Sequence, residues 1–137
     1  MIDANKEIVQ ALRETFAVDV YDVYTESIEQ GFTPPCFSIR QLGADVTPHP
    51  AGITEIVQRY DVRFFPSDER QLEECRTVAG KLLPILTKTE HLRGSSMNWE
   101  ITDSVLHFFV NYRQRVRTVQ SVVNMEVLEQ DTALVEG

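Results

Sequence analysis

Asp103, Ser104 and His107 are the residues whose types could perform nucleophilic chemistry, because a serine activated by a histidine and an acid is the arrangement of many hydrolases. Their spacing does not favour that use. Adjacent Asp and Ser are also common turn residues, and closeness in the sequence does not give the geometry of a catalytic triad. The three residues therefore predict a tight turn followed by a strand, and no catalytic residue is expected.

Metal and cofactor motifs are missing from the sequence. The six glycines are scattered singly, so they form no phosphate-binding loop. Cys36 and Cys75 are too few and too far apart for a metal or redox pair, and they are predicted to be small buried hydrophobic residues in a reducing compartment. The histidines, which show no ligand spacing, are His49, His91 and His107. The sequence predicts a protein that is not an enzyme and binds no metal or cofactor.

Arg113, Arg115 and Arg117 alternate along the end of a predicted strand, so their side chains point to one side. One interpretation is a solvated edge whose charges discourage aggregation. Another is a basic stripe that meets acidic groups of a neighbouring subunit, such as an acidic C-terminal tail. Nucleic acid is a third partner, and the net charge of −8 makes it the weakest of the three.

The composition is that of one soluble globular domain: 137 residues, 42% hydrophobic and 25% charged. The acidity lies at the two ends. Residues 1–33 hold two basic and seven acidic groups, and residues 118–137 hold four acidic groups and no basic one. No apolar run approaches the length of a membrane span and no signal-like segment opens the chain, so a cytoplasmic protein without a membrane partner is expected.

The elements that position these residues centre on residues 97–116, which predict two strands joined at Asp103-Ser104. In the second strand one set of alternate residues is Leu106, Phe108, Val110 and Tyr112, and the other is Val105, His107, Phe109 and Asn111. A period of two puts the sets on opposite sheet faces. Both contain bulky apolar groups, which predicts a central strand covered on each side.

Two helices are predicted. The first spans residues 3–16 with Asp3 as its cap. The second follows Ser67 as its cap, with Asp68 and Glu69 in the first turn. Pro84 is expected to end or kink this helix, because an interior proline costs about 3 kcal/mol.

The other strands are predicted at residues 18–24, 36–44 and 54–65, with the last presenting one dry face and one wet face that includes Asp61. Residues 27–35 form a connector, residues 47–52 a turn or loop, and residues 91–96 an irregular lead into the hairpin. The pattern predicts an α+β domain over residues 1–120, an antiparallel or mixed sheet with two helices mainly on one face, followed by an extended acidic arm at 121–137. The predicted core consists of Ile8, Leu12, Phe16, Phe37, Ile39, Tyr60, Val62, Phe64, Leu72, Leu82, Leu106, Phe108 and Val110.

Three stretches carry a family resemblance: EQGFTPPCF at residues 29–37, YDVRFFPS at 60–67, and the hairpin, with LRG at 92–94 and MNWEITDSVLHFFVNY at 97–112. Together they resemble the tail terminator family of phages and prophages from Gram-positive bacteria. Where such hairpins often use Asp-Gly, this chain has Asp103-Ser104. Because serine tolerates positive φ less readily, a different turn type is left open.

The resemblance implies a structural virion protein that caps the head-proximal end of a tail tube, stops polymerisation of tube and sheath, and forms the joining surface to the neck. It implies a homohexameric ring in a contractile-tail phage, a prophage or a phage-tail-like bacteriocin, assembled in the host cytoplasm. Its partners would be itself, the tail tube protein, and sheath and neck proteins. A closed ring needs a heterologous interface, for which the candidates are Arg113, Arg115, Arg117, Val123, Met125 and Val127.

Two other functions stay open at this point. One is another head–tail connector or neck completion protein, which ring size and binding partner would separate from a terminator. The other is a small enzyme or ligand-binding α+β domain, which a deep polar pocket with convergent titratable groups would favour.

Overall fold

A five-stranded mixed sheet with two helices forms the fold, and the α+β prediction is confirmed. The computed structural model describes residues 1–25, 33–67 and 70–117. The elements, in chain order, are α1 (Ala4–Thr15), β1 (Asp22–Tyr24), β2 (Cys36–His49), a short 3₁₀ turn (Pro50–Gly52), β3 (Ile53–Phe65), α2 (Gln71–Thr87), β4 (Gly94–Thr102) and β5 (Val105–Arg117). The sheet order is β1-β2-β3-β5-β4, with β1 parallel to β2 and every other pair antiparallel.

The β4–β5 hairpin has the predicted turn. Asp103 and Ser104 both have positive φ, 53° and 63°, which is the backbone of the type I′ turn that Asp-Gly also forms. In β5, Leu106, Phe108, Val110 and Tyr112 are buried under the helices, whereas the alternate set is half-buried. The strand lies between β3 and β4, but the two described helices cover one of its faces rather than both.

The core lies between the two helices and one face of the sheet. Asp3 caps α1 by accepting hydrogen bonds from the N–H groups of Asn5 and Lys6. Ile8 and Leu12 of α1, together with Phe16 just after it, enter the core, as do Cys75, Val78, Leu82 and Leu86 of α2. The sheet contributes Phe37, Ile39, Tyr60, Val62, Phe64, Leu106, Phe108, Val110 and Tyr112. Among the described residues, no helix is long and apolar enough to cross a membrane.

Leu72 is not in the core, contrary to the sequence prediction: its side chain is 51% exposed. The buried face of α2 is centred on Cys75, Leu82 and Leu86. At about 100° per residue, Leu72 falls on a flank of that face rather than at its centre. An apolar residue on the flank is therefore left at the surface of the isolated chain.

The ends of α2 also differ from the prediction. Ser67 does not cap the helix, which begins at Gln71 after Arg70 in the left-handed conformation; instead the Ser67 hydroxyl donates to Glu74 Oε1 at 2.8 Å. Asp68 and Glu69 lie outside the described residues. Pro84 does not end the helix, which continues to Thr87. Both Pro84 and Gly80, one turn earlier, are exposed, so the unbonded Gly80 carbonyl is open to water and no side chain opposes the proline ring.

Three strand boundaries were predicted wrongly. β4 begins at Gly94, so residues 94–96 belong to this strand rather than to the irregular lead predicted at residues 91–96. The first strand is three residues, Asp22–Tyr24, and residues 18–20 form a turn. The second continues through residues 47–49, which pair with β3 up to His49–Ile53, so that the turn consists of residues 50–52 alone. The prolines in TPHPAG suggested a loop, but Pro48 lies on β2 at the open end of the sheet, where its missing N–H is tolerated. The connector prediction falls largely on residues 26–32, outside the described chain.

Gly94 permits the close approach of α2 to the start of β4. A Cβ at this position would lie 2.5 Å from the Leu86 carbonyl oxygen and 2.9 Å from Val110 Cγ2. We expect Gly94→Ala to lower the free energy of unfolding by about 1–3 kcal/mol, because the Leu86 backbone cannot move aside as a flexible side chain would. Chemical denaturation measures this loss.

The matched control is Gly80→Ala, on the exposed side of α2, where a Cβ would meet no atom within 4 Å. We expect this substitution to stabilise by about 0.5–1 kcal/mol, since alanine loses less backbone entropy than glycine in a helix. Equal stabilities of Gly94→Ala and the wild type would contradict the close contact.

Candidate assembly surfaces

The face of the sheet that the helices leave uncovered has a buried carboxylate at its centre. Asp61, on β3, is fully buried, although the sequence placed it on a wet face. Its Oδ2 accepts hydrogen bonds from Arg40 on β2 and from His107 Nδ1 on β5, each at 3.0 Å. The register explains the arrangement, because Arg40 and Asp61 are directly paired across neighbouring strands. The three strands thus build one charged network.

Further arginines extend this network along β3. Arg63 donates to the Ser38 hydroxyl at 2.9 Å and stacks over Phe65, with its guanidinium carbon 5.5 Å from the ring centre. Burial, together with the positive charge of Arg40, lowers the pKa of Arg63. Within the described chain, the Nε atoms of Arg59 and Arg63 and the Oδ1 of Asp61 are buried without a hydrogen-bond partner. The network therefore buries polar atoms on the face that the helices leave open.

The residues of the suspected triad do not converge. His107 lies on β5, three residues after Ser104, where it faces Asp61 on β3 and its ring stacks on Phe109 with centroids 6.2 Å apart. Ser104 and Asp103 form the hairpin turn, where the Ser104 carbonyl accepts from the Cys75 thiol at 3.9 Å. The described structure therefore contains a turn and a structural histidine, as the sequence predicts, and no nucleophile–base pair among these three residues.

The two cysteines are free and buried. Burial raises the pKa of the Cys36 thiol to about 11 and also raises the pKa of Cys75. Because the thiolate is the reactive form of cysteine, both side chains are protonated at neutral pH and act as small core residues.

A second polar cluster ties α1 to the segment between α2 and β4. Glu7 Oε1 accepts from the Thr89 hydroxyl at 2.6 Å and from the backbone N–H of His91 at 2.8 Å, and Glu7 Oε2 pairs with His91 Nδ1 at 2.8 Å. Glu90 brings a third potential metal ligand to within 4.8 Å of the other two. Since both oxygens of Glu7 are already bonded within the protein, the cluster serves as a structural tie. Sequence patterning missed it because Glu7 and His91 are far apart in the chain.

The pairing of Glu7 with His91 makes the stability of the protein fall at both low and high pH. Burial alone would raise the pKa of Glu7, but the hydrogen bonds from Thr89 and His91 outweigh it and lower that pKa below 4.5. The hydrogen bond to Glu7 raises the pKa of His91 above 6.5, helped by Glu90 and opposed by Lys88. The contribution of Glu7 is lost as the pH falls through its lowered pKa, and that of His91 is lost as the pH rises through its raised pKa.

We therefore expect the tie to be strongest between about pH 4.5 and 6.5. The fall in the free energy of unfolding between pH 6 and pH 8.5 should be larger for the wild type than for His91→Gln, which keeps a polar side chain but cannot titrate. Denaturant titrations at the two pH values measure it. Parallel pH profiles for the two proteins would show that the His91 charge contributes nothing.

A cleft lies between α1 and the C-terminal end of α2, lined by Glu7, Gln10, Glu14, Ile85 and Lys88 among others. Its floor holds the tie just described, in which Glu7 is already satisfied. The cleft is open to solvent, and the carboxylates that Glu7 and Glu90 contribute to its lining belong to the polar cluster already described. This geometry gives no support to a ligand-binding domain of the kind that a deep polar pocket would indicate.

Comparison with known proteins gives the family. A family model described as phage tail terminator protein matches residues 3–124, most of the chain. The chain belongs to the phage tail terminator family. No curated protein matches the sequence.

Membership in the tail terminator family gives the protein a structural role in phage tail assembly. It makes the protein a component of the virion tail that interacts with other tail or neck proteins. For a tail terminator, the surfaces that matter are those that contact other chains. The open sheet face, the sheet edges and the exposed apolar residues are therefore the candidates, rather than any enclosed cavity.

The end of β5 is one such surface. Arg113, Arg115 and Arg117 are exposed on alternate positions, as predicted. Arg113 donates to Glu55 at 3.0 Å, whereas the described chain contains no ion pair for Arg115 or Arg117. The other three interface candidates, Val123, Met125 and Val127, lie outside the described residues.

Proposed function

We propose that the protein caps the head-proximal end of a tail tube, stops the polymerisation of tube and sheath, and forms the joining surface to the neck. The observation that carries the proposal is the family match over residues 3–124, which includes the whole described fold from α1 to β5. The particle would be a contractile-tail phage of a Gram-positive host, a prophage or a phage-tail-like bacteriocin.

The geometry supports a function in assembly rather than in chemistry. The polar clusters at Asp61 and at Glu7 make their hydrogen bonds within the described chain, apart from Asp61 Oδ1 and the Nε atoms of Arg59 and Arg63, which are buried without a partner. In contrast, the open face and the strand edges present backbone groups, arginines and apolar side chains to solvent. Such surfaces suit a homohexameric ring, in which each subunit uses one surface to bind the next and another to be bound.

Deletion of the gene tests the proposal. We expect the deletion strain to make overlong tails of variable length, because nothing then ends the growth of the tube, and electron microscopy of purified particles measures their length distribution. Complementation with the wild-type gene is the control and should restore one length.

Tails of normal length in the deletion strain would contradict capping. If those tails also failed to join heads, the protein would instead be another neck or head-completion component. Both results are read from the same micrographs.

A further inference from the structure

Three large apolar side chains are exposed on α2 and β4, the helix and the strand at the outer edge of the sheet. Leu72 and Leu83 on α2 are 51% and 50% exposed, and Trp99 on β4, the chain's single tryptophan, is 45% exposed. Met97 on β4 is partly buried beside them. We call these four residues the apolar strip. Exposed groups of this kind commonly mark a protein–protein contact.

The packing of α2 on the hairpin puts the strip together. The helix runs along β4 and β5, with its Cys75 end near Ser104 and its Leu86 end near Gly94. Leu72 and Leu83, eleven residues apart, point within about 20° of each other. The next residue on that flank, Thr87, contacts the Met97 sulfur at 3.8 Å, which places the flank against β4.

Trp99 completes the strip from the sheet side. It pairs with Phe108 and so points to the face that carries the helices, but it lies on the edge strand, where no further strand of the described chain covers it. The flank of α2 and the edge of β4 therefore lie side by side, with the exposed Arg76 between Leu72 and Leu83 along the helix.

The edge of β4 along this flank is open to strand addition. Within the described chain, β4 pairs with β5 on one side only. An edge strand leaves alternate backbone N–H and C=O groups without partners and invites another strand to pair with it. Prolines and charged side chains, which block pairing at the edges of sheets, are rare in this strand. Residues 97–102 contain no proline or lysine and one charge, Glu100. The irregular register between Ser95 and Asn98 protects one end alone.

The chain itself contains a segment suited to this edge. In residues 119–128, Val119, Ser121, Val123, Met125 and Val127 alternate with Gln120, Val122, Asn124, Glu126 and Leu128. This period of two predicts a strand with a largely apolar face when the segment is paired. The segment begins two residues beyond Arg117, and the family match continues into it as far as residue 124.

Charge favours the same pairing. Residues 118–137 contain four acidic groups and no basic one. The border of the strip has Arg76 on α2, about 20° from Leu83 around the helix, and Arg93 just before β4, both exposed. Complementary charge of this kind fixes the choice and direction of a partner more than it adds affinity.

We propose that residues 119–128 of one copy pair with the outer edge of β4 in a neighbouring copy, with Val123, Met125 and Val127 against the apolar strip. The inference rests on the proposed ring and names the contact that builds it. Each copy donates one segment and accepts another, which is a heterologous contact that can close into a ring. Apolar contact and backbone pairing hold the segment, as in other cases of strand addition.

The donor is a second copy because of where β5 ends. Gly94, the first residue of β4, pairs with Tyr112, so β5 continues five residues past the start of β4 to Arg117. That overhang is about 17 Å at the rise of an extended strand. To reach its own β4 edge, the segment would have to reverse direction at Arg117 and cross around the start of β4, whereas a segment from an adjacent subunit can enter from outside.

Cross-linking in assembled tails tests the proposal. Leu83 is replaced by the photoreactive residue p-benzoylphenylalanine in cells that make tails from a mixture of isotopically light and heavy protein. We expect mass spectrometry of the purified tails to find cross-links from position 83 to residues 118–137. In an equal mixture about half of them should join a light chain to a heavy chain, as random neighbours do, whereas cross-links within one chain would join none. The same photoreactive residue at Leu72 provides a second site should the first impair folding, and at Val20, exposed at the other end of the sheet, it is the negative control.

A matched pair of substitutions in the full-length chain adds a quantitative readout. Met125→Asp puts a charge on the face assigned to the strip and should lower the yield of the interchain cross-link by about tenfold, since a buried apolar contact is lost. Asn124→Asp adds the same charge on the opposite face and should leave the yield within about twofold.

The proposal is overturned by cross-links that stay within one chain, by cross-links to another segment, or by equal effects of the two substitutions. These failures differ from a failure of the proposed function. Tails of a single length with cross-links elsewhere would leave capping intact and reject this interface, whereas normal tails in the deletion strain would reject capping itself.

Discussion

Phe108→Ala is expected to lower the free energy of unfolding by about 3–5 kcal/mol, because truncation of a large buried side chain removes its transfer energy and leaves a cavity. Phe108 is 1% exposed at the middle of β5 and is paired with Val62 on one side and Trp99 on the other. Strands on both sides hold the backbone in place, so the structure can collapse little into the space left. Chemical denaturation of the purified protein measures the loss.

Phe109→Ala is the matched control. Phe109 is the next residue of the same strand, has the same side chain and points to the open face, where it is half-buried and stacks on His107. We expect it to cost clearly less than Phe108→Ala, in proportion to the smaller apolar area that it removes from water. A loss below about 1 kcal/mol for Phe108→Ala, or equal losses for the two variants, would contradict the one-sided core.

Periodicity in the sequence was sufficient to predict the type of an element wherever that element buries one clear face. The alternation of Leu106, Phe108 and Val110 predicted β5, and the helical spacing of Ile8 and Leu12, preceded by a capping Asp3, predicted α1. In both elements local preference and burial agree, which is the condition under which a pattern is informative. The α+β class follows from the order of these elements.

Leu72 shows what periodicity cannot resolve. A helical pattern identifies an apolar stripe but not its width, and a residue on the flank fits the pattern whether it is buried or exposed. The same limit applies to Pro84, whose tolerance depends on the exposed Gly80 one turn earlier. Contacts with other chains are a reason for an apolar flank that a pattern within one chain cannot reveal.

Asp61 shows the opposite error, because it was predicted to be exposed and is buried. Alternation placed it on the wet face of β3, and it does point away from the helices, yet it is fully buried. The burial comes from long side chains on neighbouring strands, above all Arg40 and His107, which bond to it from both sides. Strand pairing decides which residues become neighbours, and a single strand's alternation has no information about it.

The second large effect is expected from removing the partners of Asp61 rather than Asp61 itself. In the double variant Arg40→Met/His107→Leu, the carboxylate stays buried without the two groups that bond its Oδ2. A buried charge deprived of its partners costs on the order of 3–5 kcal/mol. Arg63 remains nearby with its positive charge, so we expect a loss at the lower end of that range.

Asp61→Leu should cost less than the double variant, because the groups that it leaves behind reach solvent: the side chain of Arg40 is half exposed and that of His107 is 21% exposed. Adding Asp61→Leu to the double variant should therefore restore stability, since no buried carboxylate remains and an apolar residue of suitable size fills the site. Denaturant unfolding of the wild type, the double variant, Asp61→Leu and the triple variant gives the four free energies of unfolding that this comparison needs. If the triple variant were no more stable than the double, the cost would come from lost packing of the long side chains over the sheet, and the carboxylate would not be the group that they are there to satisfy.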